Sequence, residues 1–283
     1  MPDISALLVG VSNPAPFTWT GTSPSTNYAP RPLPGVDEDI ENVSNFLGGI
    51  NGSSLKEPKR TAIEAALIRK VQELEPGGIL VAYFTGHGAR LQERGGTFNE
   101  VFLASDGPLL DGVLRSVWRR RTDITVVGIA DVCHAQRILI NMLPPGLSEE
   151  PFGTPCFGAP LGYNLGFQTR QVQFAQAVRP QQAVSRFASS NSANLLLLSA
   201  ARSEEDAYAK PNGSLFTRAL SKAWDYADSR SSWDAWLSLA MAELKRLVER
   251  EVLPTWPKAQ QHVVGQYFGQ DPAFPDSAPL LTR

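Results

Sequence analysis

A histidine and a cysteine, each placed just after a short apolar run, are the residues of this chain best suited to do chemistry. His87 follows the apolar residues 78–84, and Cys133 follows the apolar residues 124–130. Short apolar runs that end at glycine or a polar cluster are typical of buried parallel strands. Functional groups collect at the carboxyl ends of such strands, so we expect His87 and Cys133 on one rim of one sheet. A thiol and an imidazole placed together predict the nucleophilic chemistry of a cysteine peptidase.

Cys133 is the expected nucleophile of this pair, and it needs a base. A free thiol has a pKa of about 8.5 and is mostly protonated at neutral pH. His87 is expected to take the thiol proton and to return it to the leaving amine. His134 is the poorer base, because successive residues of a strand point in opposite directions. The alternative is that Cys133 is a buried structural cysteine, since free cysteines are among the most buried residues.

An alternation of strands and helices must position these two residues. The sequence predicts strands at 4–11, 78–84 and 124–130, and helices at 37–47 and 109–120. Strands that alternate with helices imply an α/β fold with a mostly parallel sheet and helices on both faces.

A further helix is predicted between the first two of these strands. Thr61 is its expected N-cap, with Glu64 completing a capping box. Its apolar side is formed by four residues, Ile63, Leu67, Val71 and Leu74. Residues 12–35, rich in Pro, Ser and Thr, are predicted to form a long loop.

Residues 143–192 break the alternation. They carry Pro, Gly, Gln, Ser and Asn without a sustained hydrophobic period. A loop of that length inside a compact domain is typical of a functional segment. The sequence therefore divides into a first half at 1–142 with His87 and Cys133, a linker at 143–192, and a second half at 193–283.

Five ordered parts of the chain form a pattern that resembles a known family. They are LPGVDEDI at 33–40, YFTGHG at 83–88, NEVFLASDG at 99–107, DVCHA at 131–135, and the pair LLSAA at 197–201 and GSLFTRAL at 213–220. Together they resemble the caspase-like peptidases, specifically the metacaspase branch, over residues 4–225. Caspases place the histidine about 50 residues before the cysteine, and here the separation is 46 positions (133 − 87). The resemblance implies a caspase-like sandwich fold and a cysteine endopeptidase.

The resemblance also implies further roles near the two reactive residues. The backbone N–H groups of Gly88 and Cys133 would form the oxyanion hole. The linker at 143–192 would be cut during activation of a zymogen, and Arg170 and Arg186 precede the bonds expected to be open to self-cleavage. The alternative is an ordinary insertion with incidental arginines.

Carboxylates predict the substrate preference. Asp131 lies two residues before Cys133, so strand alternation places both on one face. Asp39 matches a pocket position of the family, and Thr85 is assigned to the same pocket. Two carboxylates would attract an Arg or Lys side chain at the P1 position of a substrate, with Arg preferred for its fork geometry. The alternatives are that Asp39 decorates a helix start and that Asp131 makes a structural hydrogen bond.

Calcium dependence is common in metacaspases, but the acidic residues that would support it are sparse here. Ca²⁺ takes six to eight oxygen ligands. Residues 89–98 offer only Glu93 and residues 137–143 offer no carboxylate, which leaves Glu100 and Asp106. We therefore expect activity without Ca²⁺ and without another cofactor.

Composition limits the compartment and the partners. The chain has 283 residues, a net charge of −2 and two cysteines, Cys133 and Cys156. That charge gives no bias toward nucleic acid or anionic membranes, two cysteines imply no disulfide framework, and no apolar window is long enough to span a bilayer. The expectation is a cytoplasmic enzyme. Its expected partners are protein substrates and an upstream activating protease, inhibitor or signalling protein.

Two other function classes remain open. One is a catalytically silent caspase-like module that binds a peptide without cutting it, or a latent zymogen that needs a partner. The other is a small-molecule-binding α/β protein, which residues 86–88 support poorly because they lack the further glycine spacing of a dinucleotide loop.

Overall fold

The fold alternates strands and helices along the chain. The computed structural model describes residues 3–21, 25–48, 50–92, 98–133, 184–188, 194–202, 205–226, 232–257, 259–269 and 274–276. The strands are β1 (Ile4–Val11), β2 (Phe17–Trp19), β3 (Thr26–Tyr28), β4 (Asn51–Lys56), β5 (Ile79–Gly86), β6 (Gly88–Gln92), β7 (Phe98–Ala104), β8 (Gly107–Leu109), β9 (Thr125–Asp131), β10 (Val184–Ala188), β11 (Asn194–Ser199) and β12 (Val264–Gly269). The helices are α1 (Val36–Phe46), α2 (Arg60–Glu73), α3 (Asp111–Trp118), α4 (Leu215–Tyr226) and α5 (Trp233–Glu251), followed by a 3₁₀ turn at Phe274–Asp276.

A mostly parallel sheet forms the centre of the molecule. Its seven described strands run in the order β10-β12-β11-β9-β5-β1-β4. The five strands from β11 to β4 are parallel to their neighbours, whereas β12 is antiparallel to β11. Every residue of β5 and β9 is buried. Strands buried on both faces read as continuous apolar runs, which is why the sequence predicted both of them.

Two apolar cores lie on opposite faces of this sheet, and β1 contributes to both. Ala6 and Leu8 pack into one core with α1, α4 and α5. Leu7 and Val9 pack into the other core with α2 and α3. This alternation confirms the prediction of a sheet with helices on both faces. No helix in the described ranges is both long and apolar enough to cross a membrane.

The start of α2 differs from its prediction. The apolar side of the helix is buried as expected, but the capping box is wrong. The N-cap is Lys59, whose side chain makes no capping hydrogen bond, and Thr61 lies inside the first turn. The N–H of Arg60 instead donates to Asp106 Oδ1 at 2.8 Å. A carboxylate from the β7–β8 turn therefore satisfies the helix end that a local side chain was expected to satisfy.

Short strands occupy two regions that the sequence assigned differently. The predicted loop at 12–35 contains the β2–β3 hairpin, in which the rings of Phe17 and Tyr28 stack at 4.9 Å. Leu109, predicted to begin a helix, ends β8 of the small sheet β6-β7-β8, and α3 begins at Asp111.

The predicted linker contains a strand at its end. β10 pairs in parallel with β12 at the edge of the central sheet. Residues 143–183 and 189–192 lie outside the described residues. The described part of the range is thus a strand of the sheet, and the division into two halves and a linker stays a prediction.

Candidate active site

The sheet register brings the His87 and Cys133 segments to one rim. β5 and β9 are parallel neighbours, and their last aligned pair is Thr85 with Asp131. His87 and Cys133 each lie two residues further along. A Cβ atom built on Gly88 would lie 2.1 Å from the carbonyl oxygen of Cys133. Only glycine permits this backbone contact, so the two loops that leave the sheet remain in contact beyond the last ladder pair.

The ring of His87 is oriented by a backbone carbonyl. Its Nε2 lies 2.6 Å from the carbonyl oxygen of Arg31. A carbonyl can only accept, so Nε2 carries the hydrogen and Nδ1 keeps the free lone pair. Burial lowers the pKa of His87 below its usual value, and the Arg31 carbonyl partly opposes that effect. The imidazole is therefore neutral at pH 7 and able to accept a proton at Nδ1.

The thiol of Cys133 is held by the backbone of Ala207, in the segment that precedes α4. Its Sγ accepts a hydrogen bond from the N–H of Ala207 at 3.3 Å, and its S–H donates to the carbonyl oxygen of the same residue at 3.7 Å. Burial raises the pKa of Cys133 to about 12, and the charges of Asp206 and Asp131 add to the rise. The resting thiol is thus neutral, and nucleophilic attack would require removal of its proton by a base.

Asp39, at the start of α1, is sealed inside the protein next to the rim. It is 1 % exposed. Its Oδ1 accepts the N–H of Ser214 at 2.7 Å, and its Oδ2 accepts the hydroxyl of Thr85 at 3.0 Å. Burial, followed by the charge of Asp131, raises the pKa of Asp39 to about 8, although both hydrogen bonds oppose the rise. The interpretation of Asp39 as mere decoration of a helix start does not fit this burial.

Asp131, the last residue of β9, belongs to the same buried cluster. Its Oδ2 accepts hydrogen bonds from Thr217 Oγ1 at 2.5 Å, from Tyr83 Oη at 3.3 Å and from the Ser214 hydroxyl. Burial raises the pKa of Asp131 above its usual value. The predicted pocket carboxylates therefore lie together, but hydroxyl donors cover them.

Three of those donors were not identified from the sequence: Tyr83, Ser214 and Thr217. Ser214 precedes α4, and its Oγ accepts the N–H of Thr217 at 3.0 Å, as an N-cap does. The amino end of α4, with its positive dipole, thus faces both carboxylates. Gly213 makes this approach feasible, because its φ is +95° and a Cβ there would lie 2.8 Å from Asp39 Oδ1. The only available signal was the motif at 213–220, which indicated a helix but not the residues that its amino end contacts.

The remaining predicted site residues are less closely tied to the rim. Arg186 lies in β10 opposite Tyr267 of β12, so cleavage after Arg186 would require an edge strand to leave the sheet. Arg170, His134 and Cys156 lie outside the described residues. Asp106, one of the acidic residues considered for calcium, is engaged by the Arg60 N–H and by the Arg60 guanidinium at 3.4 Å.

Comparison with known proteins places this geometry in a family. The Caspase domain family model matches residues 7–264. A structural-genomics target protein from Geobacter sulfurreducens superposes with a TM-score of 0.63 at 16% identity, covering 98% of both chains. Caspase-1 from Spodoptera frugiperda superposes with a TM-score of 0.56 at 13% identity, covering 95% of this chain and 91% of that one. A comparison with curated proteins found no match.

The family match and the structural similarities agree on the fold. The matched region contains the whole rim, from β1 to the first residue of β12, and both solved structures cover nearly the full chain. The expected caspase-like fold is thereby confirmed. The chain belongs to the caspase domain family, whose members are cysteine peptidases.

Proposed function

We propose that this chain is a cysteine endopeptidase in which Cys133 is the nucleophile and His87 is the general base. The observation that carries the proposal is the hydrogen bond from His87 Nε2 to the Arg31 carbonyl. It fixes the tautomer with a free Nδ1 on a neutral ring, next to the segment that carries the thiol. A base oriented by a third group is the arrangement that nucleophilic catalysis requires.

The proposed reaction has two steps. Nδ1 of His87 takes the thiol proton as Sγ of Cys133 attacks the scissile carbonyl carbon, and the imidazolium then gives that proton to the leaving amine. Water attacks the resulting thioester, with His87 again accepting a proton, and the release of the acid restores the thiol. The N–H groups of Gly88 and Cys133 are assigned to the oxyanion that forms in each step. The Arg31 carbonyl would stabilise the imidazolium, because it accepts from Nε2 in both protonation states.

The proposed specificity is for Arg, and less for Lys, at P1. Asp39 and Asp131 are two acids in one cluster, and their hydrogen bonds come from hydroxyl and amide groups. Among the described residues, neither acid forms an ion pair with Lys or Arg. An incoming guanidinium would supply the missing countercharge, which would lower the pKa of both carboxylates. Thr85, which donates to Asp39, would help to orient that carboxylate.

A latent state is the second candidate, and the contacts of the thiol support it. The segment 205–214 holds Cys133 through Ala207 and covers Asp39 through Ser214. The segment must shift before a substrate side chain reaches the carboxylates. We propose that the chain is made as a zymogen, activated by cleavage after Arg170 or Arg186 or by a protein partner. A silent interaction module would use the same closed state permanently.

The proposal also includes independence from Ca²⁺, protein substrates and a cytoplasmic location. It assigns no cofactor, because the acidic residues near the His and Cys segments are few and Asp106 already caps α2. An activating protease, the dissociation of an inhibitor, or a signalling protein would then provide the trigger.

The test is hydrolysis of fluorogenic peptides with Arg, Lys or Asp at P1, with EDTA or with Ca²⁺. Wild type and Cys133→Ala are compared, with Cys156→Ala as the matched control, and intact mass is recorded for each sample. We expect Arg-selective turnover in EDTA that Cys133→Ala reduces by at least about a thousandfold and that Cys156→Ala retains. Faster cleavage after Asp, or activity restored only by Ca²⁺, would contradict the specificity or the metal independence. A chain that stays uncut and silent on every peptide, and that remains silent after trypsin has cleaved it and has then been inhibited, would favour the interaction module.

A further inference from the structure

Glu57 has an unusual backbone conformation close to the active-site rim. It follows the last residue of β4, and its φ of 49° lies in the left-handed region. Residues other than glycine seldom adopt that conformation, which costs energy and is found preferentially where surrounding contacts require it. The Glu57 N–H still donates to the carbonyl oxygen of Gly10 in β1 at 2.9 Å. This bond keeps Glu57 beside the end of β1 although its backbone has left the strand conformation.

The Glu57 carboxylate binds the turn that follows β1. Its Oε1 accepts the N–H of Ser12 at 2.7 Å and the hydroxyl of Ser12 at 2.6 Å, and its Oε2 accepts the N–H of Asn13 at 3.3 Å. Hydrogen bonds to an ionised acceptor are stronger than neutral ones. Three donors on one carboxylate therefore fix the position of Ser12 and Asn13.

The same turn anchors the segment that orients the His87 ring. The carbonyl oxygen of Ser12 accepts the N–H of Leu33 at 2.8 Å. Two residues earlier, the carbonyl oxygen of Arg31 accepts from His87 Nε2 at 2.6 Å. Arg31 stands between Pro30 and Pro32, and proline limits both its own φ and the conformation of the residue before it. The segment is locally stiff, so the place of the Arg31 carbonyl depends on how the segment is anchored.

We propose that Glu57 is a positioning residue for the His87 imidazole, acting through Ser12 and Leu33 on the Arg31 carbonyl. Glu57 lies in β4's connection to α2, and nothing in the sequence motifs connects it with the two reactive residues. The strained backbone aims its carboxylate at the β1 turn. The proposal rests on the proposed peptidase function, but its structural part can be measured without any turnover.

The test compares Glu57→Gln with wild type, with Glu73→Gln as the control. The substituted side chain would keep a similar volume but would turn an NH₂ group, which is a donor, toward a set of donors. Glu73 is also an exposed glutamate, paired with Arg69 at the end of α2, and α2 leads into the start of β5, at the edge of the sheet opposite the rim. Ser12→Ala, which removes only the hydroxyl donor, is the milder variant to use if Glu57→Gln reduces folding. Far-UV circular dichroism and thermal unfolding establish that each variant is folded.

The first measurement is the NMR titration of the His87 side chain in the Cys133→Ala background, which prevents self-cleavage. Because the Arg31 carbonyl raises the His87 pKa, its displacement should lower that pKa further in Glu57→Gln and leave it unchanged in Glu73→Gln. An unchanged His87 titration in folded Glu57→Gln would overturn the inference. A shifted titration in a chain that cleaves no peptide would uphold the positioning role while the peptidase proposal failed.

The second measurement is the pH profile of peptide hydrolysis with Cys133 intact. General acid–base catalysis contributes about 10²- to 10⁴-fold, so a misplaced imidazole should lower kcat by about tenfold with a smaller change in KM. The acid limb of the kcat profile should move to lower pH in parallel with the NMR titration. Equal kcat values and coincident profiles for wild type and Glu57→Gln would overturn the inference even if the peptidase proposal held.

Discussion

The groups proposed for chemistry and the groups proposed for specificity occupy the same rim but very different environments. His87 is half-buried and Cys133 partly exposed, whereas Asp39 and Asp131 are 1 % and 3 % exposed. The first pair leaves the carboxyl ends of β5 and β9 and reaches the surface. The second pair is covered by Ser214 and Thr217 at the start of α4. The two residues proposed for chemistry are thus more exposed than the two carboxylates proposed to select the substrate.

One segment accounts for that difference. Residues 205–214 lead from β11 to α4, and their backbone contacts Cys133 through Ala207 and Asp39 through Ser214. The segment is fixed at its other side by Glu205, whose carboxylate accepts the N–H of His262 at 2.8 Å and lies 2.6 Å from its Nδ1. A movement of this segment would expose the carboxylates and release the thiol together. A single movement would then let a substrate reach both the Cys133 thiol and the two carboxylates.

The largest effect on substrate selectivity should come from replacing the buried acids by amides, which cannot ionise. Asp131→Asn is expected to lower kcat/KM for P1 Arg peptides by about 100-fold, because truncating one partner of a buried charge pair costs a few kcal/mol. Asp39→Asn should act in the same direction. For peptides with a neutral P1 residue, kcat/KM should fall far less. The quantity to measure is the ratio of kcat/KM for P1 Arg peptides to kcat/KM for these neutral peptides.

Asp37→Asn is the matched control for these two variants. Asp37 lies in the same helix as Asp39, but it is exposed and paired with Lys56 at 2.6 Å. It should leave the Arg preference unchanged. If Asp131→Asn and Asp39→Asn reduced all peptides equally, the two acids would be structural and the pocket would lie elsewhere.

A smaller effect should appear in the pH dependence of stability. Burial raises the pKa of Asp39 to about 8, well above the value of about 3.9 expected in the unfolded chain. The folded state therefore binds the extra proton, and its contribution is complete below about pH 4 and is lost as the pH rises through about 8. The free energy of unfolding of wild type should fall by a few kcal/mol over that range.

The contribution of Asp39 to the pH dependence of stability must be separated from that of His87, which has the opposite sign. Comparing wild type with Asp39→Asn achieves this, because His87 is present in both proteins. The lowered pKa of His87 makes the protein less stable as the pH falls below about 6.5. Urea unfolding at pH 5 and pH 8 should therefore give a smaller decrease for Asp39→Asn than for wild type. Equal decreases in both proteins would mean that Asp39 is ionised at low pH in the fold and that the cluster is better solvated than its burial indicates.

The sheet and the meeting of the His87 and Cys133 segments at its rim were predictable because their signals are local. β1, β5 and β9 are continuous apolar runs, since helices cover both faces of the sheet, and the end of each run marks the rim. α2 was predicted from its apolar stripe. β4, with the sequence NGSSLK, carries little strand propensity and forms through its register with β1, in which Leu8 aligns with Ser54.

The covering of Asp39 and Asp131 could not be predicted. It depends on contacts between residues that are far apart in the sequence, and such contacts leave no periodic pattern. Ser214 is 175 positions from Asp39 and 83 from Asp131. The prediction of a capping box failed for the same reason. The carboxylate that accepts the Arg60 N–H belongs to Asp106, which lies 46 positions further along the chain. A sequence motif identifies which side chains gather at a rim, whereas the donors that cover them depend on how α4 docks.

The smallest expected effect concerns the charge beside the thiol. Asp206 is exposed and raises the pKa of Cys133, in addition to the larger effect of burial. Asp206→Asn should therefore increase the rate of Cys133 alkylation by iodoacetamide at pH 8 by about two- to threefold, since the interaction of an exposed charge is screened by solvent. Asp225→Asn, which removes an exposed carboxylate from the end of α4, is the control and should leave the rate unchanged.

The gain in alkylation rate that Asp206→Asn gives should shrink in 1 M salt, where the screening length is about 3 Å. A gain that did not respond to salt would instead indicate that the substitution loosened the segment 205–214, which would make that segment, rather than the charge, the restraint on the thiol.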